Sequence, residues 1–124
     1  MVELNQAGLN STYAALADPS RRAILSRLRG GAARVTEIAE PFDMSLNAVS
    51  KHIRVLERAG LVRREISGRD HFLSVNVEPL IEASTWIEEQ KTFWEGRLDA
   101  LESFLQRKKR KTQNQKAPRG RAGK

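Results

Sequence analysis

The stretch from Thr36 to Ala59, TEIAEPFDMSLNAVSKHIRVLERA, constrains this chain more than any other. Thr36 reads as the N-cap of a short helix, with Val35, Ile38, Ala39 and Phe42 at the spacing of one helical face. Pro41 limits that helix to little more than a turn, because proline removes a backbone donor and crowds the turn before it. Pro41-Phe42-Asp43-Met44 makes a tight turn, and Ser45 caps a second helix that ends at Ala59-Gly60, with Gly60 as its left-handed stop. That second helix has two unlike faces. With Asn47 at zero and about 100° per residue, Val49, His52, Ile53 and Leu56 fall between roughly 140° and 240°. Asn47, Ser50, Lys51 and Arg54 fall within about 60° of zero. One face suits a core; the other carries small donors and two cations, the side-chain types that reach base edges and phosphates in a major groove. An ordinary amphipathic surface helix has the same two faces, so the flanking sequence has to decide.

Upstream, Leu9, Tyr13 and Leu16 predict a first helix from about Leu9 to Ala17, after a flexible N-terminus over residues 1–8. Asp18 then caps a second helix with Pro19 in its first turn, burying Ile24, Leu25 and Leu28 and stopping at Gly30-Gly31. Arg21 and Arg22 fall on its exposed side, open to a phosphate contact or to plain solvation. Downstream, Leu61–Ile66 and His71–Val75 are β-prone runs flanking Ser67-Gly68-Arg69-Asp70, the pattern of a hairpin. Arg63, Arg64 and Arg69 gather around it. A basic hairpin directly after a helix-turn-helix is a wing, able to set Arg69 against the backbone or in the minor groove.

From about Val77 to Arg107 the chain reads as one long helix. Leu80, Ser84, Ile87, Lys91, Trp94, Leu98, Leu101 and Leu105 alternate four and three apart, and Trp86, Phe93 and Phe104 widen the stripe. Some thirty helical residues span about 45 Å, longer than so small a core can cover. The stripe therefore points to a homodimer, with Leu9 and Tyr13 of the first helix joining the interface. The expected fold is mainly α with a small β-hairpin: a winged helix-turn-helix domain over residues 9–107 with a long C-terminal dimerisation helix, about 77–107.

Charge sharpens this picture. Residues 107–124 hold nine Lys/Arg and no acid, which leaves 13 basic and 15 acidic groups in the other 106 residues, a net of −2. Within that body residues 21–69 carry +6 and residues 76–106 carry −5, so a basic middle faces a polyanion and an acidic helix faces away. The segment 108–124 lacks apolar periodicity and reads as a basic disordered tail that can add non-specific nucleic-acid affinity. There is no cysteine, no 18-residue apolar run and no apolar N-terminal leader pattern. A cytoplasmic protein without membrane spans, disulfides or thiolate metal sites is expected.

ALADPSRRAILSRL, VTEIAEPFDMSLNAVSKHIRVLERAGLVRREISGRDHFLSV and EPLIEASTWIEEQKTFWEGRLDALESFL, in this order, resemble the ArsR family of bacterial winged helix-turn-helix repressors. The resemblance covers roughly residues 10–106, and its last segment is similar to a subset without a recognised metal site. It implies a dimer that places two recognition helices in successive major grooves of an imperfect palindrome of double-stranded DNA and blocks a promoter. Carried over residue by residue, Ser45, Leu46 and Asn47 open the recognition helix and meet base edges or phosphates. Ser50 and Lys51 face the groove one turn on, Arg54 clamps the backbone, and Thr36 starts the helix that offers donors to a phosphate. His52 stands where the family has histidine, but its angle is core-side, so it is expected to pack and hydrogen-bond.

Metal-sensing members resemble one another in a Cys-containing motif on the third helix or in Asp/His/Glu ligands on the last. Here the third helix is VTEIAEPF, and the last has no histidine. No metal site, cofactor or catalytic residue is expected: there is no nucleophile–base pair and no GxxxxGK[ST] phosphate loop, and acids on an exposed helix suit soft metals poorly. A small apolar effector near Trp86, Phe93 or Trp94 is one expectation for release from DNA; occupancy set by expression level is the other. A dimerisation or protein-interaction module with only non-specific DNA binding is the rival class.

Overall fold

A computed structural model describes residues 6–115 of the chain. In order, the elements are α1 (Gln6–Leu16), α2 (Pro19–Arg27), a 3-10 turn over Leu28–Gly30, β1 (Ala33–Arg34), α3 (Val35–Ala39), α4 (Leu46–Arg58), β2 (Val62–Ser67), β3 (Asp70–Val75) and α5 (Glu78–Gln115). Two compact units divide at α5, one ending with Trp86 and the other beginning at Ile87.

In the first unit, Ala15, Ile24, Leu28, Ile38, Val49, Ile53, Leu56, Leu61, Val62 and Leu73 form one buried cluster drawn from four helices and the hairpin. Each fully buried aliphatic side chain of this kind contributes about 1.5–3 kcal/mol. Val49, Ile53 and Leu56 of α4 are completely inaccessible. That burial fixes the rotation of α4 and turns its opposite face to solvent.

Asp18 turns the corner between α1 and α2. Its carboxylate accepts the backbone N–H groups of Ser20 at 2.8 Å and Arg21 at 3.1 Å, with Pro19 in the first turn as expected. Ser45 caps α4 by accepting the N–H of Ala48 at 3.1 Å. Gly60 stops the helix at φ +78°, a left-handed conformation that glycine adopts without a Cβ clash. The hairpin closes in register Ser67↔Asp70, leaving Gly68 and Arg69 as a two-residue loop. Gly68 has φ +65° and Arg69 a negative φ, the pattern of a type II′ turn, whose twist matches the flanking strands.

Several boundaries differ from the sequence expectation. Helix α1 begins at Gln6, so residues 6–8 are helical rather than part of a flexible end; residues 1–5 of that expected end lie outside the described residues. Helix α3 is capped by Arg34, not Thr36. Glu37 Oε1 accepts the Arg34 N–H at 2.8 Å, the reverse half of a capping box, and Thr36 becomes the second helical residue. A third strand was not foreseen: Ala33 and Arg34 pair with Leu73 and Phe72, giving the antiparallel order β1-β3-β2 and covering the free edge of β3. Helix α5 continues to Gln115, so the start of the expected disordered tail is helical; the rest, 116–124, lies outside the described residues. Lys, Arg and Gln are good helix formers, which lets an established helix run on without an apolar face.

Candidate nucleic-acid interface

Opposite the buried stripe of α4, Asn47, Lys51, Arg54 and Arg58 are exposed and Ser50 is half-buried. Leu46, at the start of the helix, is 50% exposed. Among the described residues, Lys51 and Arg54 make no side-chain hydrogen bond and no ion pair. Most arginines around them are differently placed. Arg21 donates through Nε to the Ala15 carbonyl at 2.8 Å and through Nη2 to that of Ala14 at 3.0 Å, while Arg22 reaches the Leu16 carbonyl at 2.7 Å. These are carbonyls at the C-terminal end of α1, where unpaired acceptors and the negative helix end favour a cation. Arg21 and Arg22, expected on an exposed face, therefore serve as caps that fasten α1 to α2.

Arg21 also joins α4 to this corner. Its Nη1 donates to His52 Nδ1 at 3.3 Å, since a guanidinium has no acceptor to offer. Asp18 Oδ2 lies 3.9 Å from the same nitrogen. His52 is half-buried and hydrogen-bonded, the role its core-side angle predicts. Desolvation works to raise the Asp18 carboxyl, but the N–H groups of Arg21 and Ser20 and the nearby His52 outweigh it and hold its pKa below the ordinary 3.8.

The wing is latched to α4 by an equivalent device. Arg64 on β2 grips Glu57 on α4 with two parallel hydrogen bonds, Nε to Oε2 and Nη2 to Oε1, each 2.8 Å. Its remaining Nη1 donates to His71 Nδ1 on β3 at 3.0 Å. One guanidinium thus ties α4, β2 and β3 together and is unavailable to a ligand. Arg63 and Arg69 stay exposed, with Arg69 at the tip of the hairpin. Arg34, Thr36, Arg69, Asp70 and His71 line an open concavity of about 290 Å³ between α3 and the wing. Within it Arg34 pairs with Glu37 at 3.4 Å and lies 3.9 Å from Asp70. Thr36 and Arg69, far apart in sequence, are thereby brought to one surface.

The hydrogen bonds from Arg64 hold the Glu57 carboxylate below its ordinary 4.5 against a desolvation that works to raise it. Its depressed folded value means that the stabilisation is fully present above the unfolded value and is lost as pH falls through the folded one. Glu57→Gln will cost about 1–2 kcal/mol at neutral pH. In urea titrations the gap between variant and parent will close as the pH is taken progressively below 4.5. A gap that stayed constant on acidification would show that the Glu57 charge contributes nothing.

The expected dimerisation residues separate into two groups. Leu9 is only 4% exposed, buried within its own chain, so it has no surface to offer a second one. Tyr13 is half-buried, donates its hydroxyl to the Ala83 carbonyl at 3.2 Å and meets Trp86 edge-on at 6.2 Å. Tyr13 thereby holds α1 to the first residues of α5. In the second unit Ile87, Trp94, Leu98, Leu101 and Leu105 are all about half exposed, with Trp94 at 55% and Leu98 at 61%. Phe93 and Trp94 stack edge-to-face at 5.1 Å. Among the described residues no group of three or more His, Cys, Asp or Glu side chains is placed to hold a metal ion. None of the described helices is long and apolar enough to cross a membrane.

Comparison with known proteins places this geometry. A helix-turn-helix domain family matches residues 16–65. The chain is 32% identical over 79 residues to the transcriptional repressor SdpR of Bacillus subtilis, covering 64% of this chain and 88% of that protein. It is similar to the crystal structure of an ArsR family transcriptional regulator, with a TM-score of 0.70 and 42% identity over 77% of this chain and 97% of that one. At 23% identity, a likeness in fold alone extends to the homodimeric winged helix-turn-helix DNA-binding domain Mb0332 of Mycobacterium bovis. There the TM-score is 0.57, over 71% of this chain and 83% of that one.

Proposed function

This chain belongs to the ArsR family of winged helix-turn-helix transcriptional regulators, and on that premise we propose that it is a homodimeric repressor reading an imperfect DNA palindrome. The observation that carries the reading is the state of the α4 cations. Lys51 and Arg54 are exposed beside Asn47, without a hydrogen bond or ion pair among the described residues, on a helix whose other face is locked into the core, while Arg21, Arg22 and Arg64 are engaged by carbonyl or carboxylate oxygens of the protein. Affinity then comes from phosphate contacts by Arg54, Arg69 and Thr36, and specificity from Ser45, Leu46, Asn47, Ser50 and Lys51. The half-exposed apolar stripe of α5 supports a homodimer through Ile87, Trp94, Leu98, Leu101 and Leu105, and the similar Mb0332 domain is itself homodimeric. Repression follows the similarity to SdpR.

The regulator is not metal-responsive in this reading. The sequence has no cysteine, and both of its histidines have Nδ1 occupied by an arginine. It acts in the cytoplasm, on chromosomal DNA, and has no catalytic role. The exposed stripe of α5 also suits a second reading, an interaction module with only non-specific DNA affinity.

Selection of binding sites from randomised duplexes by the purified protein separates the two. A repressor will enrich an inverted repeat with half-site centres about one helical turn, 10–10.5 bp, apart. It will bind that sequence at least about a thousandfold more tightly than a scrambled duplex at physiological salt. Equal binding of both duplexes would favour the interaction module.

A further inference from the structure

We propose that Leu46 recognises the 5-methyl group of a thymine in each half-site of the operator. This deepens the DNA-binding reading and rests on it. Leu46 differs from the large apolar side chains of α4 that fill the core: Val49, Ile53 and Leu56 are fully buried, whereas Leu46 is 50% exposed beside Asn47 on the end of the helix that leads into a groove. A single exposed leucine is ordinary. Its surroundings are not. Leu46 lines an open concavity of about 430 Å³ with Thr36, Glu37, Ala39 and Glu40.

Leu46 and Ala39 contribute aliphatic surface to its lining, and Glu37 and Glu40 contribute two carboxylates. Glu37 already accepts the Arg34 N–H, while Glu40 has no hydrogen bond or ion pair among the described residues. Carboxylates repel a DNA phosphate, so the surface beside Glu37 and Glu40 disfavours backbone and fits an uncharged base edge, while Thr36 also borders the neighbouring concavity of Arg34 and Arg69, where a phosphate is favoured. Among major-groove base edges, the thymine 5-methyl is the apolar group. Removing it leaves Leu46 against water and costs roughly the transfer free energy of one methyl, about threefold to fivefold in affinity per half-site.

Deoxyuridine deletes that methyl and leaves the base pair otherwise intact. Each thymine of the selected operator is replaced in turn, first in one half-site and then in both, and binding is measured by anisotropy. Wild type will lose about threefold to fivefold at one thymine per half-site and about tenfold or more at the symmetric pair. Leu46→Ala will bind the thymine operator only as well as wild type binds the deoxyuridine operator, and will no longer distinguish the two. Leu46→Met, which keeps the apolar reach, will retain the discrimination. Indifference of wild type to deoxyuridine at every position overturns the proposal, as does undiminished discrimination by Leu46→Ala. Binding-site selection that enriches no sequence would instead remove the DNA-binding reading itself, and Leu46's role with it. Circular dichroism melts report on folding, which a change at so exposed a residue will leave nearly unaltered.

Discussion

Replacing Trp94 and Leu98 together by glutamate will convert the protein to a monomer at micromolar concentration and reduce operator affinity at least a hundredfold, about 3 kcal/mol. Both side chains lie on the apolar stripe of α5, and both are more than half exposed in the single chain. Within the chain their substitution removes the edge-to-face contact of Trp94 with Phe93 but no buried core packing, and leaves the helicity and the melting of the first unit close to those of the parent. In a dimer, by contrast, each glutamate must either be desolvated without a partner or lose its charge, and four such groups meet at one interface. The loss of DNA affinity follows from geometry. Two linked recognition helices bind the second half-site at a high effective concentration, and a monomer has no such advantage. Analytical ultracentrifugation with anisotropy on the same samples checks both halves. A variant that remained dimeric would place the interface elsewhere on the molecule.

The elements that position the exposed face of α4 were legible because their signals are local. The buried stripe Val49, Ile53 and Leu56 follows helical spacing, Ser45 is a good cap, and Gly60 and Gly68 stand where positive φ is needed. The arginines were not legible in the same way. Arg21 and Arg22 read as surface charge, and only the packing of α2 against the end of α1 brings them to the carbonyls of Ala14, Ala15 and Leu16. Arg64 was grouped with Arg63 and Arg69 around the wing, but strand alternation turns it toward Glu57 while Arg63 points to solvent. Two residues of β1 are too few to carry a period. The true start of α3 did leave a trace, in the acidic Glu37 three residues after Arg34, but arginine is not a capping type and Thr36 outranked it. Leu9 shows how a helical spacing identifies an apolar face without identifying what covers it: the face is real, and its partner is the same chain.

The same distinction between held and unheld cations makes the proposed role of α4 open to a decisive substitution. Lys51→Ala with Arg54→Ala removes two exposed charges per protomer, four per dimer, while leaving the core face of α4 untouched. Surface changes of this kind alter stability by no more than about 0.5 kcal/mol. If Lys51 meets a base edge, its loss costs about 1–3 kcal/mol in each half-site. If Arg54 meets a phosphate, its loss lowers the salt slope by about one per protomer. Together they reduce operator affinity by at least about a thousandfold. Substituting Arg22, whose guanidinium caps α1 at the Leu16 carbonyl, should alter stability more than DNA affinity, which supplies the control. The most direct measurement is a salt titration of operator and scrambled duplex with wild type and the Lys51→Ala/Arg54→Ala double variant. The account predicts a folded, dimeric variant whose operator affinity falls to that of the scrambled duplex, with a shallower salt slope; an unchanged affinity and slope would contradict it.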